Sequence, residues 1–346
     1  MLVYVGHESS RGKNLLVDYE ESSPMVKFDI IADWTLNKYC NFSCPYCYVP
    51  MEERRQVSYK GNDAQRIVSS FNNSGKIWLI HMSGGEPFFH RDFIDLCKGL
   101  TERHYISINT NLSSQVVHSF CEDIDPARVS FVHCSLHITE RDNQTVLSDF
   151  IEKVNALERS GFTVYVTQVM WPPIVTEFKQ LFEFFQTKGI LIRPKVFRGD
   201  YKGKDYPEHY TREEKDTMLT FMKLSDDAER QSDKTKGHIN PDLDRLWLDG
   251  YVSFKGMPCS AGSKFVKIDF DGTIRRCQSD PIKLGNIYQG EFKLFENAHL
   301  CKAKICRCPY YGFLFASGKH KIVKSRLPLF MQKMFKRKRV LPLTGF

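Results

Sequence analysis

The chain has 346 residues, 42% of them hydrophobic and 26% charged, which excludes disordered, collagen-like and coiled-coil classes and allows one large domain or two ordinary ones. No apolar run approaches the roughly 18 residues of a membrane-spanning helix, and Met1-Leu2-Val3-Tyr4-Val5-Gly6-His7 lacks the pattern of a secretory signal, so a cytoplasmic protein is expected. The net charge of +8 is concentrated beyond residue 318, where nine Lys or Arg and no acid occur; the remaining 40 basic and 41 acidic residues balance, which excludes a general nucleic-acid-binding surface.

Residues 1–26 are mixed and polar and carry no clear element. Residues 27–197 alternate between strand-like and helix-like segments. The strands are expected at Phe28–Thr35, Lys76–His81, Tyr105–Asn109, Val129–Leu136, Thr163–Met170 and Ile190–Val196. Helices are expected between them, at Ala64–Phe71, Arg91–Glu102, Ser114–Glu122, Arg141–Ser160 and Thr176–Lys188. Such alternation means βαβ units and a parallel sheet, either an incomplete barrel or a doubly wound sheet. The periodicity favours the barrel. His133, Ser135 and His137 share one strand face, as do Ser107, Asn109 and Asn111, and Arg193 with Lys195. A doubly wound sheet is apolar on both faces, whereas a polar face suits a concave interior that holds something polar.

Residues 198–250 are charged and rich in turn residues, with one helical stretch near Arg212–Leu224, and read as a bridge. Residues 251–318 form a small cysteine-bearing segment in which Asp271-Gly272 marks a hairpin between Phe265–Phe270 and Thr273–Cys277. Residues 319–346 are a basic tail.

Eleven cysteines in an unsecreted chain argue against a disulfide framework. Cys97, Cys121 and Cys134 fall on element faces where core packing is the default. The others form two clusters. Cys40, Cys44 and Cys47 are spaced C-x3-C-x2-C, short enough for three thiolates to wrap one centre. Three ligands on a four-iron cluster leave one iron open to a cofactor or substrate. A zinc knuckle is the alternative, with His81 or His90 as a distant fourth ligand. The motif follows the first strand, at the strand end where barrel sites lie. After the second strand comes Ser83-Gly84-Gly85-Glu86-Pro87, where paired glycines permit close backbone approach and Glu86 suits an ammonium group.

This combination resembles the radical S-adenosylmethionine superfamily over residues 28–197. Thr110-Asn111-Leu112 is similar to the family's Thr-Asn-Gly, with Leu112 a departure, and Ser135-Leu136-His137 is also similar. The resemblance implies an α/β fold, a partial (βα)6 TIM-like barrel, followed by a small C-terminal iron–sulfur domain. It implies a [4Fe–4S] cluster on Cys40, Cys44 and Cys47, with S-adenosylmethionine chelating the open iron. Gly84, Gly85 and Glu86 would meet its methionyl amine, and the backbone around Tyr46 its adenine. Asn111 and Ser135 would meet its ribose or carboxylate, and Gln168 is a weaker contact of the same kind.

Cys259 and Cys277 are spaced C-x12-G-x4-C around the Asp271-Gly272 hairpin, followed by Cys301, Cys306 and Cys308. This resembles the SPASM and Twitch extensions of the same superfamily. Five cysteines suit one auxiliary [4Fe–4S] cluster with a spare, the Twitch-like form, and which two of Cys301, Cys306 and Cys308 complete it stays open. A structural zinc site is the alternative.

The chemistry implied is reductive cleavage of S-adenosylmethionine to a 5′-deoxyadenosyl radical that takes hydrogen from the substrate, with three roles open to the auxiliary cluster: accepting the second electron, ligating substrate, or stapling a small domain. A reducing partner such as flavodoxin or ferredoxin is then required. Only 39 residues precede Cys40, too few for a peptide-binding domain. This tilts the expectation to a polar small molecule, glycosyl or aminocyclitol in kind, with a ribosomal peptide or protein as the alternative substrate. Arg193 and Lys195 on the interior face suit a carboxylate or phosphate, or an ion pair within the protein. A non-catalytic iron–sulfur or zinc protein that binds a partner is the remote alternative. In the tail, basic and large apolar residues interleave, which allows peripheral contact with an anionic membrane, against the plainer reading of a solvated terminus.

Overall fold

The computed structural model describes residues 15–17, 28–55, 64–231, 242–248, 251–306 and 320–325. The strands are β1 (Leu15–Val17), β2 (Ile30–Asn37), β3 (Trp78–Gly84), β4 (Tyr105–Thr110), β5 (Val129–Ser135), β6 (Val164–Val169), β7 (Ile192–Lys195), β8 (Gly199–Tyr201) and β9 (Lys204–Tyr206). They continue with β10 (Tyr251–Ser253), β11 (Pro258–Cys259), β12 (Phe265–Ile268), β13 (Thr273–Arg275), β14 (Lys283–Asn286), β15 (Glu291–Phe292), β16 (His299–Leu300) and β17 (His320–Ser325). The α-helices are α1 (Met51–Arg54), α2 (Ala64–Asn73), α3 (Phe93–Thr101), α4 (Val116–Asp123), α5 (Gln144–Arg159), α6 (Pro172–Val175), α7 (Phe178–Thr187), α8 (Arg212–Gln231) and α9 (Asp242–Leu248).

Strands β2 to β7 lie in chain order and all neighbours are parallel. Sequential order with one crossover hand puts every connecting helix on the same side, the winding of a barrel; a doubly wound sheet reverses its order part-way. Packing agrees, since α2 lies on α3, α3 on α4 and α4 on α5. The alternation within strands divides the sheet into two faces. On the helix side Trp34 of β2 and Trp78 of β3 meet Phe71 of α2, with ring centroids 5.9 and 5.2 Å apart.

The other face is polar and stitched across strands. His81 Nδ1 and Ser107 Oγ are 2.9 Å apart, Ser135 Oγ donates to Asn109 Oδ1 at 3.1 Å, and His133 Nε2 and Thr167 Oγ1 are 2.7 Å apart. The expected polar interior is therefore present, and neighbouring side chains hydrogen-bond within it. A buried polar group without a partner costs roughly 1–3 kcal/mol, so this lateral pairing lets a polar face exist at all.

The segment after residue 260 extends the same sheet. β12 pairs parallel with β2, Lys267 opposite Asp33, and then β13, β14 and β15 follow as an antiparallel meander, giving ten strands in one sheet. The Asp271-Gly272 hairpin joins β12 and β13 as expected, with Gly272 at φ +80°. The bridge segment contains more than expected: the β8–β9 hairpin and the 20-residue α8, which lies against β7, the last strand of the sheet. In the basic tail, β17 is the central strand of a three-stranded antiparallel sheet between β1 and β10. The first part of that tail is therefore folded. No helix among the described residues is long and apolar enough to cross a membrane.

Candidate functional site

The three-cysteine loop leaves β2 at Asn37 and runs into α1. Its backbone is held by groups that the spacing of cysteines did not indicate. Arg54 Nη1 donates to the Cys44 carbonyl at 3.3 Å. Arg55 donates to the carbonyls of Cys40 and Asn41 at 3.0 and 3.2 Å and to Ser43 Oγ at 2.8 Å. Ser43 N–H donates to Glu140 Oε2 at 2.9 Å, tying the loop to the turn after β5. Two adjacent arginines, seven and eight residues past the last cysteine of the motif, are the sequence feature that forms this bracket.

The three thiols lie on one loop, near enough for their charges to act on one another. Burial pushes the Cys40 thiol up to about 11 and Cys44 to about 12, and Cys47 adds to both through its charge. Such thiols stay protonated until a cation joins them, as ligation of a metal centre would require. The donor set fits an iron–sulfur cluster: three soft sulfurs at one loop, with Asn111 Nδ2 3.6 Å from Cys40 Sγ as a polar neighbour. Among the described residues no three His, Cys, Asp or Glu side chains close around a single-ion site. His81 faces Ser107 in the interior, and His90 Nδ1 accepts from Asp92 N–H at 3.3 Å, beside the turn before α3.

The glycine pair approaches the cysteine loop itself. A Cβ on Gly84 would lie 2.2 Å from the Asn37 carbonyl oxygen, and one on Gly85 2.0 Å from that of Tyr39. With the side chains absent, Gly85 N–H donates to Asn37 O at 2.9 Å and Glu86 N–H to Tyr39 O at 2.7 Å. These bonds fix the residues immediately before Cys40.

Glu86 is fully buried. Its carboxylate accepts from Thr110 Oγ1 at 2.6 Å, from Asn111 N–H at 2.6 Å and from Phe88 N–H at 3.1 Å, and Asn37 Nδ2 donates to its carbonyl at 3.0 Å. Burial pushes the carboxyl up to about 7, against the lowering from those donors. Glu86 thus ties the ends of β2, β3 and β4 together, an anchoring role that the expected ammonium contact did not include.

Asn111 lies beside Asn41, with Nδ2 3.1 Å from Asn41 Oδ1, while its Oδ1 accepts from Ser113 N–H and Oγ. Leu112 takes the left-handed conformation at φ +59° and is fully buried. Ser135 is bonded to Asn109, as above. Gln168 bonds to backbone through both ends, Oε1 accepting from Ile138 N–H at 3.0 Å and Nε2 donating to Val169 O at 2.8 Å, and its side chain also bonds with Tyr46. The Tyr46 ring stacks on His137 at 5.7 Å and tilts against Trp171 at 5.6 Å, and its hydroxyl lies 2.9 Å from His137 Nδ1. His137 is itself left-handed at φ +45°. Arg141, buried after β5, donates to the carbonyls of Leu136 and Asn111 and stacks on Phe150 at 4.2 Å.

In the second cluster, Cys259, Cys277 and Cys301 come together. β11 pairs with β16, and Cys301 N–H donates to Met257 O at 2.9 Å. Burial pushes the Cys259 thiol up to about 11, with Cys301 and Cys277 both adding to it. Cys277 Sγ accepts from Asp280 N–H at 3.1 Å, and Cys259 Sγ from Ala261 N–H at 3.5 Å. Arg276, buried, laces the two segments by donating to Ala261 O, Leu300 O and His299 O. Cys306 is buried, and Cys308 lies outside the described residues. Cys97 and Cys134 are wholly buried in the core, and Cys121 packs against it.

The family model of the Radical SAM superfamily matches residues 34–185. Among curated proteins, a probable GTP 3′,8-cyclase of Thermoplasma volcanium is 26% identical over 136 residues, 37% of this chain and 41% of that protein. A protein of the same description from Saccharolobus solfataricus is 25% identical over 108 residues, 31% of this chain and 35% of its own length. The chain thus matches less than half the length of these relatives. Among solved structures, Streptococcus suis SuiB bound to S-adenosylmethionine aligns with a TM-score of 0.52 at 13% identity, over 76% of this chain and 64% of that one. Native anSMEcpe with bound AdoMet aligns at 0.51 and 17% identity, over 75% and 78%. These structures share the fold. Residues 34–185 are therefore a radical SAM domain, with the three-cysteine loop, the Gly-Gly-Glu-Pro turn and the polar strand ends inside its span.

Proposed function

We propose that the chain is a radical SAM enzyme that cleaves S-adenosylmethionine reductively and takes hydrogen from a polar small molecule, glycosyl or aminocyclitol in kind, held in the barrel interior. The observation that carries this reading is the place of Cys40, Cys44 and Cys47 on one loop at the C-terminal end of the first of six sequential parallel strands. A [4Fe–4S] cluster on these thiols would supply the electron and an open coordination position for the cofactor. Arg54, Arg55 and Glu140 hold the loop still. The Gly84–Gly85 backbone fixes the approach to Cys40. Tyr46, His137 and Trp171 form an aromatic wall next to it, which restricts water. The cross-strand pairs His81–Ser107, Asn109–Ser135 and His133–Thr167 offer a polar floor for a hydroxyl-rich substrate.

Cys259, Cys277 and Cys301 are assigned to an auxiliary [4Fe–4S] cluster, with Cys306 or Cys308 as the fourth ligand. Its role is to accept the second electron, and a flavodoxin or ferredoxin is the reducing partner. The test is anaerobic reconstitution followed by reduction with S-adenosylmethionine. The expected results are about eight irons per chain, four per cluster, and release of 5′-deoxyadenosine. Cys44→Ala should abolish that release. The Cys259→Ala, Cys277→Ala double variant should lose about four irons and retain uncoupled release. Zinc in place of iron, or normal release from Cys44→Ala, would overturn the reading.

A further inference from the structure

The cations around the barrel are held in different ways. Arg193 on β7 is taken up by Asp226 and Glu229 of α8, with Nη1 and Nη2 each 2.6 Å from an acid. Lys38, two residues before Cys40, is held from two separate segments. Its Nζ lies 2.6 Å from Glu53 Oε2 on α1 and 4.0 Å from the centroid of the Phe270 ring. Lys38 stands before the first cysteine of the loop and Glu53 after the last, so their ion pair closes the loop at its base. Beside it the Cys40 N–H donates to the Arg54 carbonyl at 2.9 Å, joining the same two ends through the backbone. The ion pair alone is a weak closure. Its side chains are 27% and 39% exposed, and water competes for both charges.

Phe270 comes from the C-terminal segment. β12 pairs parallel with β2, and Ile268 stands opposite Trp34. Parallel strands end on the same side of a sheet, so the chain leaving β12 emerges beside the chain leaving β2. The hairpin that follows is fixed there. The Phe270 carbonyl accepts from the Tyr288 hydroxyl at 3.1 Å, and the Asp271 carbonyl from Asn286 Nδ2 at 3.0 Å. The Tyr288 ring lies 6.3 Å from that of Trp34 on β2, and a Cβ on Gly272 would come within 2.4 Å of the Tyr288 ring. The turn therefore packs back toward β2 and presents Phe270 to Lys38. The backbone on either side of Lys38 is already held, since Gly85 and Glu86 donate to the carbonyls of Asn37 and Tyr39. The Lys38 side chain is the tie from this stretch to the C-terminal segment. An ammonium over an aromatic face is attracted by the ring quadrupole, and the ring gives a flexible lysine a fixed direction.

We propose that Phe270 is a positioning residue of the three-cysteine loop: the C-terminal segment supplies an aromatic face that holds the Lys38–Glu53 closure and, through it, the orientation of Cys40, Cys44 and Cys47. The β12–β13 hairpin is then part of the cofactor site, whatever metal the cysteines beyond it hold. The inference deepens the proposed function and rests on it for what the loop binds, not for the contact between hairpin and loop.

The experiment compares the anaerobic holoprotein with its Phe270→Leu and Phe270→Tyr variants. Leucine keeps apolar bulk and removes the ring face, whereas tyrosine keeps the face. Hydrogen exchange read by peptide mass spectrometry reports local opening. In Phe270→Leu the peptide spanning residues 37–47 should exchange about two- to fivefold faster, the contribution of a part-exposed cation–π contact. Phe270→Tyr should match the parent protein, and residues 144–159 of α5 should not change in either variant. The second readout is the change that S-adenosylmethionine makes in the electron paramagnetic resonance of the reduced protein. Its half-saturating concentration should rise by a similar factor in Phe270→Leu and stay put in Phe270→Tyr. Unchanged exchange at 37–47 in Phe270→Leu, equal acceleration in Phe270→Tyr, or acceleration that includes α5 overturns the proposal. Faster exchange with an unaltered half-saturating concentration also overturns it, because the contact would then support the loop without positioning it. A spectrum indifferent to S-adenosylmethionine in the parent protein removes the enzymatic reading, while the exchange rates still decide the contact.

Discussion

Glu86 has a structural task that stands beside the contact expected of it. Its position after two glycines suggested a partner for an ammonium group. The folded chain gives its two oxygens three internal donors, from Thr110, Asn111 and Phe88. Glu86→Ala would leave all three buried without an acceptor, at about 1–2 kcal/mol each, so a loss on the order of 3–5 kcal/mol is expected. Because the lost bonds join the ends of three strands, iron content should fall together with S-adenosylmethionine binding. Denaturant titration beside iron analysis checks this; normal stability and iron with weakened cofactor binding alone would return Glu86 to the simple contact role. Leu112 is the second case where the residue scale decides. The left-handed conformation costs an L-residue roughly 1–2 kcal/mol, but burying a leucine side chain contributes more, about 2–5 kcal/mol when truncation and cavity are both counted. The chain therefore tolerates leucine where a glycine is easier for the backbone, and the turn beside Asn111 keeps its shape.

At the scale of elements, the turn after β3 is built against the loop after β2. Gly85→Ala would put a methyl group 2.0 Å from the Tyr39 carbonyl oxygen, a backbone atom that cannot swing aside. The loop must move, and Cys40 follows Tyr39 directly. We expect Gly85→Ala to lower iron binding sharply while the far-ultraviolet circular dichroism of the barrel survives. Gly75→Ala is the control: it has φ +70° but nothing within 4 Å, so it should cost only about 1 kcal/mol of backbone strain and leave iron unchanged. Equal iron in both variants would remove this account of the glycine pair. The six parallel strands were legible because each is a short β-rich run bounded by turns and separated by a helix-period segment. Their order was partly legible, through the polar odd positions of β4, β5 and β7. The pairing of β12 with β2 was not, because hairpin chemistry at Asp271-Gly272 fixes which strands are neighbours in the meander but not which edge of a sheet receives them. The bracket of Arg54 and Arg55 was equally hidden, since contacts to carbonyl groups leave no residue pattern.

At the scale of the whole molecule, residues 15–17 and 320–325, far apart in sequence, meet in one sheet. β17 lies between β1 and β10, so a segment first read as the start of a basic tail joins residues 15–17 to residues 251–253. Charge density alone could not reveal this. Lys321 and Lys324 sit in a strand, and β pairing is set by backbone hydrogen bonds that a charge count does not register. Of the other seven tail cations, all outside the described residues, Lys319 precedes β17, and Arg326, Lys333, Lys336, Arg337, Lys338 and Arg339 follow it, interleaved with Leu327, Leu329, Phe330, Met331 and Phe335. On an anionic surface each such cation adds about 1 kcal/mol near the headgroups, and apolar insertion adds to it. A test of membrane contact must spare β17, because a chain cut before residue 320 loses a central strand and any change in binding would mix with unfolding. The informative comparison is the full chain against one ending at Ser325. With vesicles containing phosphatidylserine, the full chain should co-sediment, the shortened chain should stay in solution, and raised salt should release the full chain because exposed charges are screened. With neutral vesicles both should stay in solution. Equal behaviour of the two chains, or binding indifferent to lipid charge, would remove the tail as a membrane contact and leave it a solvated terminus.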